Sequence, residues 1–172
     1  MNGFNISEAG HVVQVIIPAS ISGGVIGQAF SMAKYKHASI IISIGAQAAQ
    51  ATKIILSVGT ATAAQGTAVA NATAIPFNIY KQESASADVL SAINNIAAAG
   101  YQPSATADIF YVIEIDADEI KAALAGALSG SLGQFSYLQL SITNGANADF
   151  VAAIAVLSGA RFAEAQSPTA IA

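Results

Sequence analysis

The run Asp108 to Ile120, DIFYVIEIDADEI, sets a strand signal directly against a helix-start signal. From Ile109 to Ile115 β-branched and aromatic residues dominate, and side chains alternate across a strand. Ile109, Tyr111, Ile113 and Ile115 therefore share one face, and Phe110, Val112, Glu114 and Asp116 share the other. The first face is wholly apolar and is predicted to be the core face. The second begins apolar and ends acidic, which predicts a strand that starts under covering structure and emerges into solvent at Glu114. Asp116 then suits an N-cap, with Glu119 closing a capping box ahead of Ile120, Ala123 and Leu124. The expectation is a central strand that runs straight into a short surface helix.

Similar apolar runs recur along the chain. Val12 to Pro18 (VVQVIIP) predicts an edge strand closed by proline, and a turn at Ser22-Gly23-Gly24 leads to a weaker strand from Val25 to Met32. His37 to Gly45 and Thr52 to Gly59 lie close enough to predict a hairpin, with Ala38, Ile40, Ile42 and Ile44 on one face and Ser39, Ile41 and Ser43 on the other. Ala61 to Ala72 is a small-residue loop. Ala74 to Gln82 returns as a strand with Ile75, Phe77 and Ile79 on one side. From Ser84 to Gly100 the spacing predicts a helix capped by Ser86, with a stripe of Val89, Leu90, Ile93, Ile96 and Ala97; a loop with one helical turn competes. Phe135 to Thr143 and Phe150 to Ser158 predict a second hairpin around Asn144-Gly145, and SITNGANA there loosely repeats SIGAQA from Ser43 to Ala48.

The strands number eight, divided by Gly, Ser and Asn turns. That pattern predicts an all-β fold, an eight-stranded antiparallel β-sandwich or jelly roll with one or two short helices in its connections. The sandwich is expected to span residues 11–162, between an N-terminal arm at 1–10 and a C-terminal arm at 163–172. These ends hold few large apolar residues, and Phe4, Ile6 and Ile171 are isolated anchors of the kind an extended arm can set in a partner's groove. Val12, on the predicted edge strand, completes the candidate partner-binding set.

Composition narrows function. Only 9% of the 172 residues are charged, against roughly 25% in a typical soluble domain, and depleted charge fits either a stable, unreactive domain or, the reading favoured, a subunit largely covered by neighbours. Absence of Cys removes disulfides, thiolate metal sites and cysteine nucleophiles. The uncharged stretch Ile54 to Tyr80 is too interrupted by polar residues and Pro76 to predict a membrane span, and no secretory signal is evident in MNGFNISEAG. Six basic residues against ten acidic, thinly spread, argue against a nucleic-acid surface.

Residues for catalysis are scarce. His11 and His37 each stand at the start of a strand, where turn or edge roles are expected, and no HExxH, GxSxG or phosphate loop occurs. Glu114, Asp116, Asp118 and Glu119 form an acidic cluster that lacks the glycine and distal glutamate of a calcium loop, and capping accounts for two of the four. No catalytic, metal or cofactor site is predicted. The absence of Trp also weighs against the alternative of a carbohydrate- or receptor-binding sandwich from a phage tail or fibre.

Three segments, SMAKYKHASIIISIGA, FYVIEIDADEI and ADFVAAIAVLSGARF with the proline-containing tail after it, resemble a family of tailed-bacteriophage head decoration, or cement, proteins. The resemblance runs over residues 31 to 162 and rests on strand patterns, not on chemical signatures. It implies a non-enzymatic jelly-roll virion protein on the outer surface of the capsid, clamping neighbouring major capsid protein subunits as a homo-oligomer. It also implies a strand within Ser84 to Gly100, where the residues themselves predict a helix.

Overall fold

The computed structural model describes residues 6, 10–45, 53–82, 89–103, 109–125, 137–143 and 150–160. Among them run eleven strands: β1 (His11–Ser20), β2 (Val25–Ile26), β3 (Phe30–Ser31), β4 (Tyr35–Ile44), β5 (Ile54–Gly59), β6 (Thr73–Ala74), β7 (Phe77–Gln82), β8 (Ser91–Ile96), β9 (Ile109–Asp116), β10 (Tyr137–Ile142) and β11 (Phe150–Ala160). A helix, α1 (Ala117–Ala125), follows β9 without a break.

The pairings trace one long antiparallel hairpin. β1 pairs with β11, β2 and β3 with β10, β4 with β9, and β5 with β6. Rolling that hairpin up sets β11 beside β4 and β10 beside β5. The result is two sheets, β1-β11-β4-β9-β7-β8 and β2-β10-β5-β6, with β3 alongside β10. This connectivity is a jelly roll, and β7-β8 is an extra hairpin added beyond β9. The all-β sandwich is thus as the alternating runs predict.

Alternation decides what fills the space between the sheets. Ile40, Ile42 and Ile44 of β4 are fully buried, as are Tyr111, Ile113 and Ile115 of β9, and they share one core with Leu56 of β5 and Leu140 of β10. The predicted core face of β9 is therefore correct at all three of those positions, while the side chain of Ile109 lies outside the described set. On the far side of the smaller sheet, Gln139 is buried and its amide is fully engaged. Its Nε2 donates to the carbonyls of Gly27 (2.9 Å) and Thr67 (2.8 Å), and its Oε1 accepts from the Val69 amide (2.9 Å). With Ala29, Ala63, Val69 and Tyr137, this side chain helps fasten the small-residue loop over the sheet, beside the backbone bonds of Ala29 to Ala63 and Gly66 to Ile26.

Several expectations are corrected. Eleven strands replace eight. The run Val25 to Met32 divides around Gly27–Ala29, and Ala74 to Gln82 divides at Pro76, which lets β6 join one sheet and β7 the other. The described part of Ser84 to Gly100 holds β8 in place of a helix; Ser84 and Ser86 themselves lie outside the described residues. Asn95 sits at φ 58°, a left-handed conformation that breaks a helix and that Asn tolerates better than most residues. Three residues of β8, Ile93 to Asn95, run against two of β7 there, a bulge pinned by the Asn95 amide on Asn78 Oδ1 at 3.0 Å.

Neither predicted hairpin forms. β4 and β5 belong to different sheets, and so do β10 and β11. A hairpin would set both apolar faces on the same side of one sheet with nothing opposite, whereas crossing over sets them against each other. The loose repeat still has a counterpart in space: Gly45 donates to the Phe150 carbonyl and Thr143 donates to the Lys53 carbonyl, so the described residues that flank the two crossings are bonded to one another. Pro18 lies inside β1, within the register shift between Ile16 and Ala19, so it does not end the strand.

Two substitutions test this packing. Ile113→Ala is expected to cost about 2 to 5 kcal/mol in urea unfolding as a buried truncation, with Ile41→Ala, on the opposite face, well below it. Gln139→Leu removes three hydrogen bonds at once and is expected to cost about 2 to 4 kcal/mol, since buried groups left unpaired are penalised more than the bonds are worth. Wild-type stability in Gln139→Leu would show that the loop is not held by this amide.

Candidate functional site

Two features of the six-stranded sheet's outer face stand out. One is a charged cluster made by β4 and β9. His37 lies opposite Asp116 and Ser39 opposite Glu114, so four polar side chains two apart on adjacent strands converge. His37 Nδ1 is 2.7 Å from Asp116 Oδ1 and Nε2 is 2.6 Å from Glu114 Oε2. Ser39 Oγ donates to the same Glu114 oxygen at 2.6 Å and lies 3.3 Å from His37 Nε2. Burial disfavours the imidazolium, but the hydrogen bonds to Asp116 and Glu114 and their negative charges outweigh it and raise the His37 pKa above its usual 6.5.

Ser39, His37 and Asp116 are in the order of a hydrolytic triad, yet the arrangement differs in the decisive contact. A triad histidine presents an unprotonated Nε2 to its serine. Here Nε2 donates to Glu114, and so does the serine. The cluster is a closed ion-pair network. Nor can one cation reach its ligands together, because the two ring nitrogens face different carboxylates; among the described residues no group of three or more His, Cys, Asp or Glu is placed to hold a metal.

Asp116 also begins α1, and its amide donates to Glu119 Oε2 at 2.9 Å, so the predicted capping contact is present. Ile120 is buried and Asp118 pairs with Lys121 at 3.2 Å. The acidic cluster is thus divided among clasp, cap and surface pair. His37 is no simple edge residue, contrary to expectation. Its signal is legible only when His-x-Ser at 37–39 is laid beside Glu-x-Asp at 114–116. Tyr35 opens β4, is buried, and stacks on His11 with ring centroids 5.8 Å apart.

The second feature is an apolar row. Across the sheet, the register sets Ile154 of β11, Ile41 of β4, Val112 of β9, Tyr80 of β7 and Ala92 of β8 side by side on the outward face. Ile154 is 40% exposed, and Phe150 further along β11 is 66% exposed. Val112 is 9% exposed and Glu114 half-buried, in keeping with a face that opens toward its acidic end. Such a row cannot be read from any single strand, because it exists only in the register between strands.

The predicted partner-binding residues are only partly placed. Ile6 and Val12 are exposed at 44% and 49%, and Phe4 and Ile171 lie outside the described residues, as does nearly all of both predicted arms. Val12 pairs with Val156, and the buried Gly10 lies so close to Val156 that a Cβ there would stand 2.9 Å from its Cγ1. β1 is indeed an edge strand, but part of that edge is closed to exchange. Gln65 accepts from the Ile17 amide at 2.8 Å and donates to the Ile17 carbonyl at 3.4 Å, while Val15 O accepts from Gln28. No family model, curated protein or solved structure matches the chain.

Glu119→Ala leaves the Asp116 amide without its side-chain partner and is expected to destabilise the chain by about 1 kcal/mol, read as a lower midpoint in denaturant. An unchanged midpoint would mean that the capping contact contributes nothing.

Proposed function

We propose that the protein is a non-enzymatic structural protein of a bacteriophage virion that sits on the outside of the capsid and fastens neighbouring major capsid protein subunits. The observation that carries this reading is the apolar row of Ile154, Ile41, Val112 and Tyr80 on the outer face of the larger sheet. An apolar row that ends in exposed Ile154, on a poorly charged domain, favours a broad protein contact over a small-molecule site. The segments that resemble head decoration proteins form β4, the β9–α1 unit and β11, three adjacent strands of the sheet that presents this row. The closed His37 cluster adds support, because its serine and histidine are both committed to Glu114.

In this reading the protein acts as a homo-oligomer, a dimer or trimer, located on the virion. Its face supplies the main contact, and Phe4, Ile6 and Ile171 of the arms add anchors. A carbohydrate-binding role is less well supported. The depression on the smaller sheet is lined by residues such as Gly23, Gly24, Ser57 and Ser141, with no aromatic platform for a sugar among the described residues.

The test adds purified protein to shells of the co-encoded capsid protein and measures occupancy and the temperature of shell rupture. Full-length protein is expected to bind and raise that temperature. Ile154→Lys should fold normally and bind at least about tenfold more weakly, the loss of roughly 1.4 kcal/mol or more that a charge set in an apolar contact brings. Deleting residues 163–172 should weaken binding less. Failure of the full-length protein to bind any shell would overturn the assignment, and wild-type binding by Ile154→Lys would remove the face from it.

A further inference from the structure

The charged cluster has a property independent of any capsid role. Carboxylate oxygens only accept hydrogen bonds, and each nitrogen of the His37 ring lies within 2.7 Å of one. Both nitrogens must then donate, and an imidazole with two N–H groups carries a positive charge. The ring bridges Glu114, near the end of β9, and Asp116, the residue from which α1 starts. Losing one proton leaves a single N–H for two carboxylates that face each other across the ring.

The geometry points to a proton-operated latch: doubly protonated His37 fastens the end of β9 and the start of α1 to β4, and its deprotonation releases them.

Among the described residues, His37 is the group held between two carboxylates, and Lys36 lines a depression with Asp116, Asp118 and Glu119 beside it. On β4, Lys36 is exposed and Tyr35 has its phenol pushed up by burial, so it stays neutral while the ring titrates. His11 is nearby through its stack on Tyr35. From β9 come Glu114 and Asp116, which make the latch. On α1, Asp118 is paired with Lys121 and Glu119 holds the Asp116 amide. β11 sets Ser158 opposite His37, and β7 sets Asn78 opposite Glu114, neither of them ionisable. With the ring's pKa raised in the folded state, the stabilisation is fully present below its unfolded value of about 6.5 and is lost as pH rises through the folded value.

Two measurements on the full chain test this. In nitrogen NMR the His37 ring, assigned by its loss in His37→Gln, is expected to titrate above about pH 6.5 with both nitrogens protonated below that point. Over the same pH range hydrogen exchange, corrected for its intrinsic rate, should report falling protection at Lys121 to Ala125, whose amides bond within α1, with the core strand β10 unchanged. Glu114→Gln should lower the titration midpoint, and His37→Gln should abolish the pH dependence of α1 protection. A His37 midpoint at or below about 6.5 overturns the latch, since an unbridged imidazole behaves that way. So does α1 protection that stays constant while the ring titrates.

Discussion

The fold depends on β4 having both of its edges taken by strands far away in the chain. β11 covers one edge over nine register pairs and β9 covers the other over eight. Neither partner is adjacent in sequence, so closing these pairs fixes the roll of the whole hairpin. Once β4 lies between them, Ile40, Ile42 and Ile44 point inward with Tyr111, Ile113 and Ile115, and β5 and β10 must cross over to cover them. Pairing of this kind is entropically costly to begin, because long loops close before any of it is rewarded. Its reward is a core that needs neither disulfide nor charge.

What was legible in the residues follows from the same fact. Alternation is local, so the inner face of β4 and of β9, the capping contact at Asp116 and the all-β class were all readable. Partner choice is not local. The runs at 37–45 and 52–59 suit a hairpin as well as a crossover, and only the need of each apolar face for an opposite one decides between them. In the same way Val89, Leu90, Ile93 and Ile96 satisfy a helical stripe on paper. In the fold that segment finds β7 beside it, and Asn94-Asn95 supplies the bulge that a helix could not contain. The implied strand there is the better expectation.

The candidate site was hidden for a related reason. His37 is unremarkable until it is set opposite Asp116, and Ile154, Ile41, Val112 and Tyr80 are four separate residues until register aligns them. Their chemistry divides the outer face. At one end three ionisable groups satisfy one another and are about one-third exposed at His37 and Glu114, so solvent and salt weaken the pair and its worth to stability is modest. In the middle the face has no charge at all.

Edge protection bears on how such a molecule can meet a neighbour. A sandwich with bare edges joins others by adding strands, and that contact is hard to limit. This one manages two of its edges. Gln65 occupies both backbone groups of Ile17 on β1, and the bulge at Asn95 bends β8 away from regular pairing. Strand addition along β1 is thereby confined to its first residues, where Val12 stands exposed. A face contact discriminates by shape and apolar fit, where an edge offers only the backbone pattern common to every strand. In the proposed reading, contact through the face with the edges managed lets a sparsely charged protein bind a repeating surface without stacking on itself.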